Sequence, residues 1–562
     1  MYYAADLETT TDPLDCRVWA WATCEIGNPE NVSIGNRLED LIDSMTGKQN
    51  NRLYFHNLKF DGMFIIDYLF RTGFVHVPTR AELKPRTFCT LISDKGQFYT
   101  MTICFNKKGH HTDKVDIYDS LKILPLSVDQ IARAFDLPIS KQSIDYDLYR
   151  EPGYVLTEID RSYITADVSI MAQALAVLFD QGLDKMTLGS NAMTDFKSVF
   201  GVLKFRRVFP VPPYDAELRP SYKGGYAYLQ PQYKDREVAA GIVLDVNSLY
   251  PDVMFHQPLP YGEGLPFKGK YKTSKLYPLY VQNLRCHFQL KPGFLPTIQL
   301  KHNGAFQPTE YISSNNGEDV PLCLTSVDLD LFFQHYDVYN IEYQGGWKFH
   351  AASGLFREYI NKWLKIKTES KTAGNLGMYQ ISKWMLNSLY GKFALNPKVK
   401  SKYPVFTENH VGFITGPQEY RQPVYIPVGT FITAWARYKT ISSAQSLYHR
   451  FIYADTDSMH LEGVEIPENL EISKTKLGAW KLEKTFVRAR YIRAKSYMEL
   501  DENGNLPDGE KWDIVVAGLP RRCHDQVTPD NFKAGSVYTG KLKPHIVPGG
   551  VVLQDIDFTI KA

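Results

Sequence analysis

The chain has 562 residues, a mass of 64.4 kDa and a formal net charge of +2, with 44% hydrophobic, 13% aromatic and 22% charged residues. That is a globular composition, long enough for roughly four domain-sized units without disulfide or metal staples. A mean hydropathy of −0.29 and the lack of an apolar run of about 18 residues exclude a plain transmembrane segment. The start Met1-Tyr2-Tyr3-Ala4-Ala5-Asp6 is not a secretory leader. The cysteines, Cys16, Cys24, Cys89, Cys104, Cys286, Cys323 and Cys523, are scattered with no C-x-x-C pair, which fits a reducing compartment rather than a zinc or disulfide framework.

In chain order, a strand is predicted over 2–7, ending on acidic residues, with strands and turns continuing to Ser120. Ala, Leu, Ile and Met at helical spacing predict a helix over 162–179. Gly182 and Asp184 suggest a break and a boundary near 187. A Pro- and Tyr-rich stretch over 209–214 precedes a short apolar run over 241–246 that reads as a buried strand. Residues 257–350 look like mixed strands and loops, and 355–392 is the strongest helical region, interrupted at 372–377. The segment 394–427 holds several Pro and Gly and reads as an irregular or hairpin insertion. Within it, two short alternating strands joined by Glu408-Asn409-His410 suggest an exposed hairpin. Strand signals resume over 451–453, and about the last 70 residues form a small, mainly β element.

Asp6-Leu7-Glu8 places two carboxylates at i and i+2, on one face of a strand. Such a pair occurs at surface strand ends, but adjacent anions also suit a hard divalent cation. Asn57-Leu58-Lys59-Phe60-Asp61-Gly62 reads as a polar turn, and Tyr163 and Asp167 stand at i and i+4 of a helix. Together these segments resemble the three motifs of the DnaQ-like proofreading 3′–5′ exonucleases. The resemblance implies that Asp6, Glu8, Asp61 and Asp167 hold two metal ions, which activate water and stabilise the leaving oxygen. It also implies that Tyr163 orients the water, that Lys141 assists, and that Asn57 and Phe60 contact a single-stranded 3′ end.

Asp245-Val246-Asn247-Ser248-Leu249-Tyr250-Pro251 puts an acid at the end of the buried strand. Tyr453-Ala454-Asp455-Thr456-Asp457-Ser458 has acids at i and i+2 in an apolar strand context, where an unpartnered carboxylate is costly. Between them, Lys383, Asn387 and Tyr390 fall at i, i+4 and i+7, one helix face able to take a phosphate and a sugar. These segments resemble, in order, motifs A, B and C of the family B DNA polymerases. Tyr222-Lys223-Gly224-Gly225, Thr433-Ala434-Trp435-Ala436-Arg437-Tyr438 and Lys495-Ser496-Tyr497 are similar to the protein-primed branch, as are Ser120-Leu121 and the closing Val547-Pro548-Gly549-Gly550.

That resemblance implies a multidomain α/β and α+β fold: an RNase H-like exonuclease domain (1–186) followed by a right-hand polymerase (187–562). In it the palm takes about 187–256 and 424–515, the fingers about 360–395 and the thumb about 516–562. Two family-specific insertions fall at about 257–354 and 399–422. Asp245, with its neighbour Val246, and Asp457 would bind two catalytic metals, with Asp455 beside them. Lys383 and Lys367 would hold the incoming triphosphate, Tyr250 would exclude a 2′-hydroxyl, and Asn387 and Tyr390 would contact the nascent pair. Ser120, Leu121, Tyr222, Gly224, Gly225, Ser248, Thr433, Arg437, Lys495 and Tyr497 would contact DNA. The cofactor implied is Mg²⁺ or Mn²⁺, two ions per site. The partners implied are primer–template DNA, deoxynucleoside triphosphates and a terminal protein that primes initiation, the chain being otherwise monomeric. The compartment implied is the cytoplasm of a phage-infected bacterium.

Residues 474–495 carry eight basic groups against the single acid Glu483, a local net of +7, with Trp480, Phe486 and Tyr491 interleaved. That is a credible phosphate-tracking segment. Two other readings are an enzyme that extends only DNA primers and a single-strand-binding replication protein with degenerate sites. The second predicts missing carboxylates, and all six main ones are present.

Overall fold

Strand Tyr2–Thr9 lies inside an eight-stranded sheet, pairing antiparallel with Val18–Glu25 and parallel with Asn51–Phe55. The computed structural model describes every residue except 47–50, 109–110, 147, 301–310, 507–508 and 562. The sheet runs Asn28–Gly35, Val18–Glu25, Tyr2–Thr9, Asn51–Phe55, His111–Asp119, Phe98–Lys108, Thr87–Ile92 and Val75–His76. Alternation sorts its two faces. Ala4 packs in one core with helix Glu158–Asp180, while Ala5 and Leu7 pack in another with helix Leu58–Arg71. Asp6 and Glu8 share the parity of Ala4 and therefore face helix Glu158–Asp180.

The stretch before Ser120, read as strands and turns, also contains helices Leu38–Met45 and Leu58–Arg71. The second was missed because its buried face is almost continuously apolar, which blurs helical periodicity. Helix Glu158–Asp180 starts at a capping box made by Thr157 and Asp160. It is long and apolar enough to cross a membrane, but 67% of its most apolar window is buried, as expected of a core helix.

A second eight-stranded sheet begins with Gly509–Val516, Ser496–Leu506 and Trp480–Arg493. It continues through Gly241–Val246, Ser458–Glu462, Phe451–Asp455 and Ala227–Leu229, with Glu237–Val238 beside Trp480–Arg493. The long helix Ile426–Ser446 packs in its core. Helices Arg357–Thr372 and Leu376–Ser388 form a hairpin that turns at Gly374, where φ is 71°. A separate four-stranded sheet, with helix Ser326–His335, occupies the 257–354 segment.

Strands Lys398–Thr407 and His410–Tyr420 form the expected hairpin. Its turn is Glu408-Asn409, with φ of 49° and 66°, and His410 already opens the second strand. Two consecutive positive φ values match the twist of the flanking strands. Val411 joins Val547, Val551 and Val552 of the C-terminal hairpin (Val537–Val547 and Gly550–Thr559) in the core around helix Leu58–Arg71. Both hairpin turns thus dock on the first sheet's helix: Arg71 bonds Asn409, and the Gly549 backbone N–H donates to Asp67 Oδ1 at 3.2 Å.

Candidate active sites

Two carboxylate centres form, one on each large sheet. In the first, one ligand atom each from Asp6, Glu8 and Asp167 lie within 4.8 Å of one another. Asp61 stands beside them in the first turn of helix Leu58–Arg71. The segment read as a polar turn is therefore a helix start. Asn57 takes a left-handed conformation, φ 77°, and turns the strand into the helix. Its backbone N–H donates to Asp119 Oδ1 at 3.1 Å.

Burial and the mutual repulsion of the anions raise these carboxyls. Asp6 is pushed up to about 7, by loss of water and then by Asp167. Glu8 and Asp61 are also raised, burial first and Asp6 next. A site that makes three carboxylates repel is built for a cation. Among the described residues the buried Asp167 Oδ1 has no hydrogen-bond partner, so an oxygen is left over that a cation would satisfy. The other oxygen, Oδ2, accepts from Lys141 Nζ, which also reaches Tyr163 OH at 3.3 Å. Tyr146 OH lies 2.5 Å from Tyr163 OH, fixing the tyrosine expected to orient water.

The centre opens into a cavity of about 940 Å³. Its rim includes the exposed Asn57 and half-buried Phe60. Its far wall comes from the C-terminal hairpin: Leu542, Val551 and Leu553, with Arg522 and Asp555. Sequence reasoning missed that wall, because nothing local links residues more than 500 positions apart. Ser120, expected at DNA, is wholly buried. Its hydroxyl donates to Phe55 O at 3.0 Å and lies 3.1 Å from His56 Nδ1. It ties the strand end to His56.

In the second centre, Asp245 sits in strand Gly241–Val246, opposite Ser458 on one side and Lys481 on the other. Asp455 ends strand Phe451–Asp455, and a tight turn carries the chain on to Asp457. Thr456 has φ 62°, and the Asp457 N–H donates to Asp455 O at 2.7 Å. The turn swings Asp457 toward Asp245: the Val246 N–H donates to Asp457 O at 2.8 Å. Burial and then the Asp245 charge push the Asp457 carboxyl up to about 6, again the mark of a place for a cation. Asp455 is turned away. Both its oxygens accept from Lys495 Nζ, at 2.9 and 2.6 Å, and Tyr453 OH donates to Oδ2 at 3.2 Å.

Ser248, in a left-handed conformation, caps helix Leu249–His256, which carries Tyr250. The Tyr250 ring stacks on Tyr390 with centroids 4.0 Å apart and planes 21° off parallel. Tyr390 is not on the helix face of Lys383 and Asn387: helix Leu376–Ser388 ends first and Tyr390 opens a 3₁₀ turn. Lys383 and Asn387 are exposed on that helix. Lys367 approaches from the partner helix, its ammonium pulled down by burial and then by Lys383 and Lys481. Lysines brought this close on one helical hairpin repel each other and favour an anion between them.

Two expected DNA contacts are buried. Thr433 is 1% exposed and donates to Thr430 O at 3.1 Å. Arg437, 2% exposed, pairs with Asp328 at 2.7 Å and donates to the carbonyls of Lys223 and Gly224. It holds the Tyr222–Gly225 loop in place. The basic segment 474–495 is also largely neutralised. Lys476 pairs with Glu471, Lys481 with Asp245, Lys484 with Glu499 and Asp513, Arg488 with Glu237 and Glu510, and Lys495 with Asp455. Counting charge along the chain could not see acids delivered by neighbouring strands.

A family model described as DNA polymerase type B, organellar and viral, matches residues 42–475. The chain is 46% identical to the DNA polymerases of Bacillus phages B103 and phi29, covering 100% of this chain and 99% of each relative. It is 32% identical to the DNA polymerase of Streptococcus phage Cp-1, over 100% of this chain and 98% of that one. Among solved structures it superposes on phi29 DNA polymerase complexed with primer-template DNA and incoming nucleotide substrates. The TM-score is 0.94, at 45% identity and full coverage of both chains.

Proposed function

The chain belongs to the type B DNA polymerases of organelles and viruses, a DNA-directed DNA polymerase of the phi29 kind, and from that premise we propose a division of labour between its two centres. Asp245 and Asp457 serve synthesis, and Asp6, Glu8, Asp61 and Asp167 serve 3′–5′ removal of mispaired ends. Residues 1–186 form the proofreading domain and 187–562 the polymerase. The observation that carries the reading is the convergence of Asp6 and Glu8, on the first sheet, with Asp167 of helix Glu158–Asp180, apart from Asp245 and Asp457 at the second sheet.

Divalent ions of the Mg²⁺ or Mn²⁺ kind would supply, at both centres, activation of the attacking oxygen and stabilisation of the leaving one. The chain's own residues do the rest. Lys383 and Lys367 hold the triphosphate from the helical side as point charges. Tyr250, braced by Tyr390, lies where a ribose 2′-oxygen would fall. Lys495 and Tyr497 hold the primer strand. In the first centre, Tyr163 orients water and Lys141 holds the Tyr163 hydroxyl and Asp167 together. Initiation uses a hydroxyl of a terminal protein, for which the 257–354 sheet is the docking surface, inside a phage-infected bacterium. The hairpin Lys398–Tyr420 separates downstream strands. Primer extension and 3′-end degradation, each with and without Mg²⁺, test the reading: a chain that extends but never trims would remove the proofreading half.

A further inference from the structure

Glu499 is a charged residue with no solvent exposure, set in the second sheet beside the synthesis centre. Its Oε1 accepts from Tyr491 OH at 2.7 Å and lies 2.6 Å from His460 Nδ1. Its Oε2 is ion-paired at 2.7 Å with Lys484, which also reaches Asp513. Burial pushes the carboxyl up, but His460 and Lys484 outweigh it and hold it down at about 2. A buried ion pair is rarely the cheapest way to fill a core, since an apolar side chain of equal volume avoids desolvation. What a carboxylate adds is direction, and here it orients two rings.

Those rings lead to the reaction centre. His460 lies 5.1 Å from both Tyr453 and Tyr497, and Tyr491 stacks on Tyr497 at 5.5 Å and 28°. On the far side of this box, Tyr453 OH accepts from the Lys495 N–H at 3.0 Å and donates to Asp455. Lys495 itself has φ 60°, a conformation that needs support from its surroundings. So a buried anion stands at the back, the rings of His460, Tyr491 and Tyr453 stand between, and Lys495 with Tyr497 stands at the front.

We infer that Glu499, with Lys484 and His460, is a positioning unit that sets Tyr453, Tyr497 and the Lys495 turn to receive the paired primer end. This rests on the reading of Asp245 and Asp457 as the synthesis centre. None of the three residues touches the reacting atoms.

The test compares Glu499→Leu, which removes the acceptor, with Glu499→Gln/Lys484→Met, which keeps an acceptor oxygen and removes the buried charge pair. Affinity for paired primer–template is measured by fluorescence anisotropy in EDTA, and the trimming-to-extension ratio with Mg²⁺. Thermal midpoints establish that each variant folds. Glu499→Leu should bind primer–template roughly tenfold more weakly, the worth of one hydrogen bond to a charged group. Its trimming-to-extension ratio should rise, with single-strand trimming and the nucleotide KM unchanged. The double variant should recover most of both losses. A folded Glu499→Leu chain with parental affinity and ratio would overturn the inference. So would parallel loss of single-strand trimming, or a double variant no better than Glu499→Leu. Should Glu499→Leu not fold, His460→Phe keeps a ring and loses the nitrogen, and it carries the same expectations and the same overturning results. If the parent chain neither binds nor extends a primer, the polymerase reading itself fails; if the parent is active and the variants match it, only this inference falls.

Discussion

Gly225 lies flat against Thr456, the residue between the two aspartates of the second centre. A Cβ on Gly225 would stand 2.9 Å from Thr456 Cβ, closer than real side chains come. Thr456 cannot easily retreat: its N–H donates to Tyr226 O at 2.7 Å and its carbonyl accepts from the Thr440 hydroxyl at 2.7 Å. Gly225→Ala must therefore move the turn that aims Asp457. Misplacing a reacting group by about 1 Å costs on the order of a hundredfold in rate, and that is the loss expected in primer extension. Single-strand trimming, on the other sheet, should stay within about twofold, as errors between independent sites usually do. Parental extension by the variant would mean the turn tolerates the added methyl.

The stacked pair Tyr250 and Tyr390 carries the second expectation. A ring clamped by another ring cannot swing aside, so it excludes rather than accommodates a 2′-oxygen. Tyr250→Val should raise ribonucleotide incorporation relative to deoxynucleotide by roughly a hundredfold. Steady-state insertion opposite a single template base measures the ratio. An unchanged ratio would place the sugar filter elsewhere.

The two centres share no carboxylate, so they should fail separately. Asp457→Ala should abolish extension and spare 3′ trimming of single strands, and Asp6→Ala with Glu8→Ala should do the reverse. Loss of both activities in a chain that still melts cooperatively would contradict two independent sites.

Much of this was legible because it is local. The D-x-E pair, the Tyr163/Asp167 spacing and the strand-end Asp245 each depend on one element, and each landed in its centre. What was not legible depended on partners far away. Arg437 looked like a phosphate ligand until Asp328 and the loop carbonyls claimed it. The basic run 474–495 looked like a DNA track until the acids of adjacent strands were in place. Tyr390 was misassigned for a different reason: helical spacing was carried past the point where the α-helix tightens into a 3₁₀ turn.

His76 gives a pH expectation. Its Nε2 lies 3.0 Å from Thr90 Oγ1, and its ring packs on Phe88 and on Tyr403 of the hairpin. Burial pulls it down from 6.5 to about 4. A base whose folded value is lowered binds its proton first in the open state. Stability is therefore intact above the unfolded value and is lost as pH falls from 6.5 toward 4. At pH 5.5 the loss is of order 1 kcal/mol. His76→Phe should remove that share of the fall in thermal midpoint between pH 7.5 and 5.5. A variant whose midpoint falls as steeply as the parent's would exclude His76 as the source.

The hairpin Lys398–Tyr420 is held at both ends of its reach. Arg71 donates to Asn409 Oδ1 at 2.6 Å and to its carbonyl at 2.7 Å, and Phe70 packs on Phe406 with centroids 5.6 Å apart. Nearer the base, the Asp94 N–H donates to Lys400 O at 3.0 Å. The exonuclease-like sheet, this hairpin and the C-terminal hairpin thus close on one another around helix Leu58–Arg71, with Asp67 binding both Arg71 and the Gly549 N–H. If strand displacement is this hairpin's role, such a closed arrangement would slow dissociation without strong contacts to DNA. Deleting 400–421 should leave extension on an open single strand nearly intact at high enzyme concentration, but collapse it through a downstream duplex. Arg71→Ala frees the hairpin tip and also leaves the buried Asp67, which still accepts from the Gly549 N–H, without its cation. It removes hydrogen bonds from a charged donor, worth roughly 1.5–3 kcal/mol each when fully lost and less at this partly exposed site. Products made in a single binding event, with a trap for free enzyme, should shorten several-fold, while single-strand trimming stays at the parental rate. If the deleted chain unwinds a downstream duplex as fast as the parent, the hairpin is decoration and the contacts at Asn409 serve only to park it.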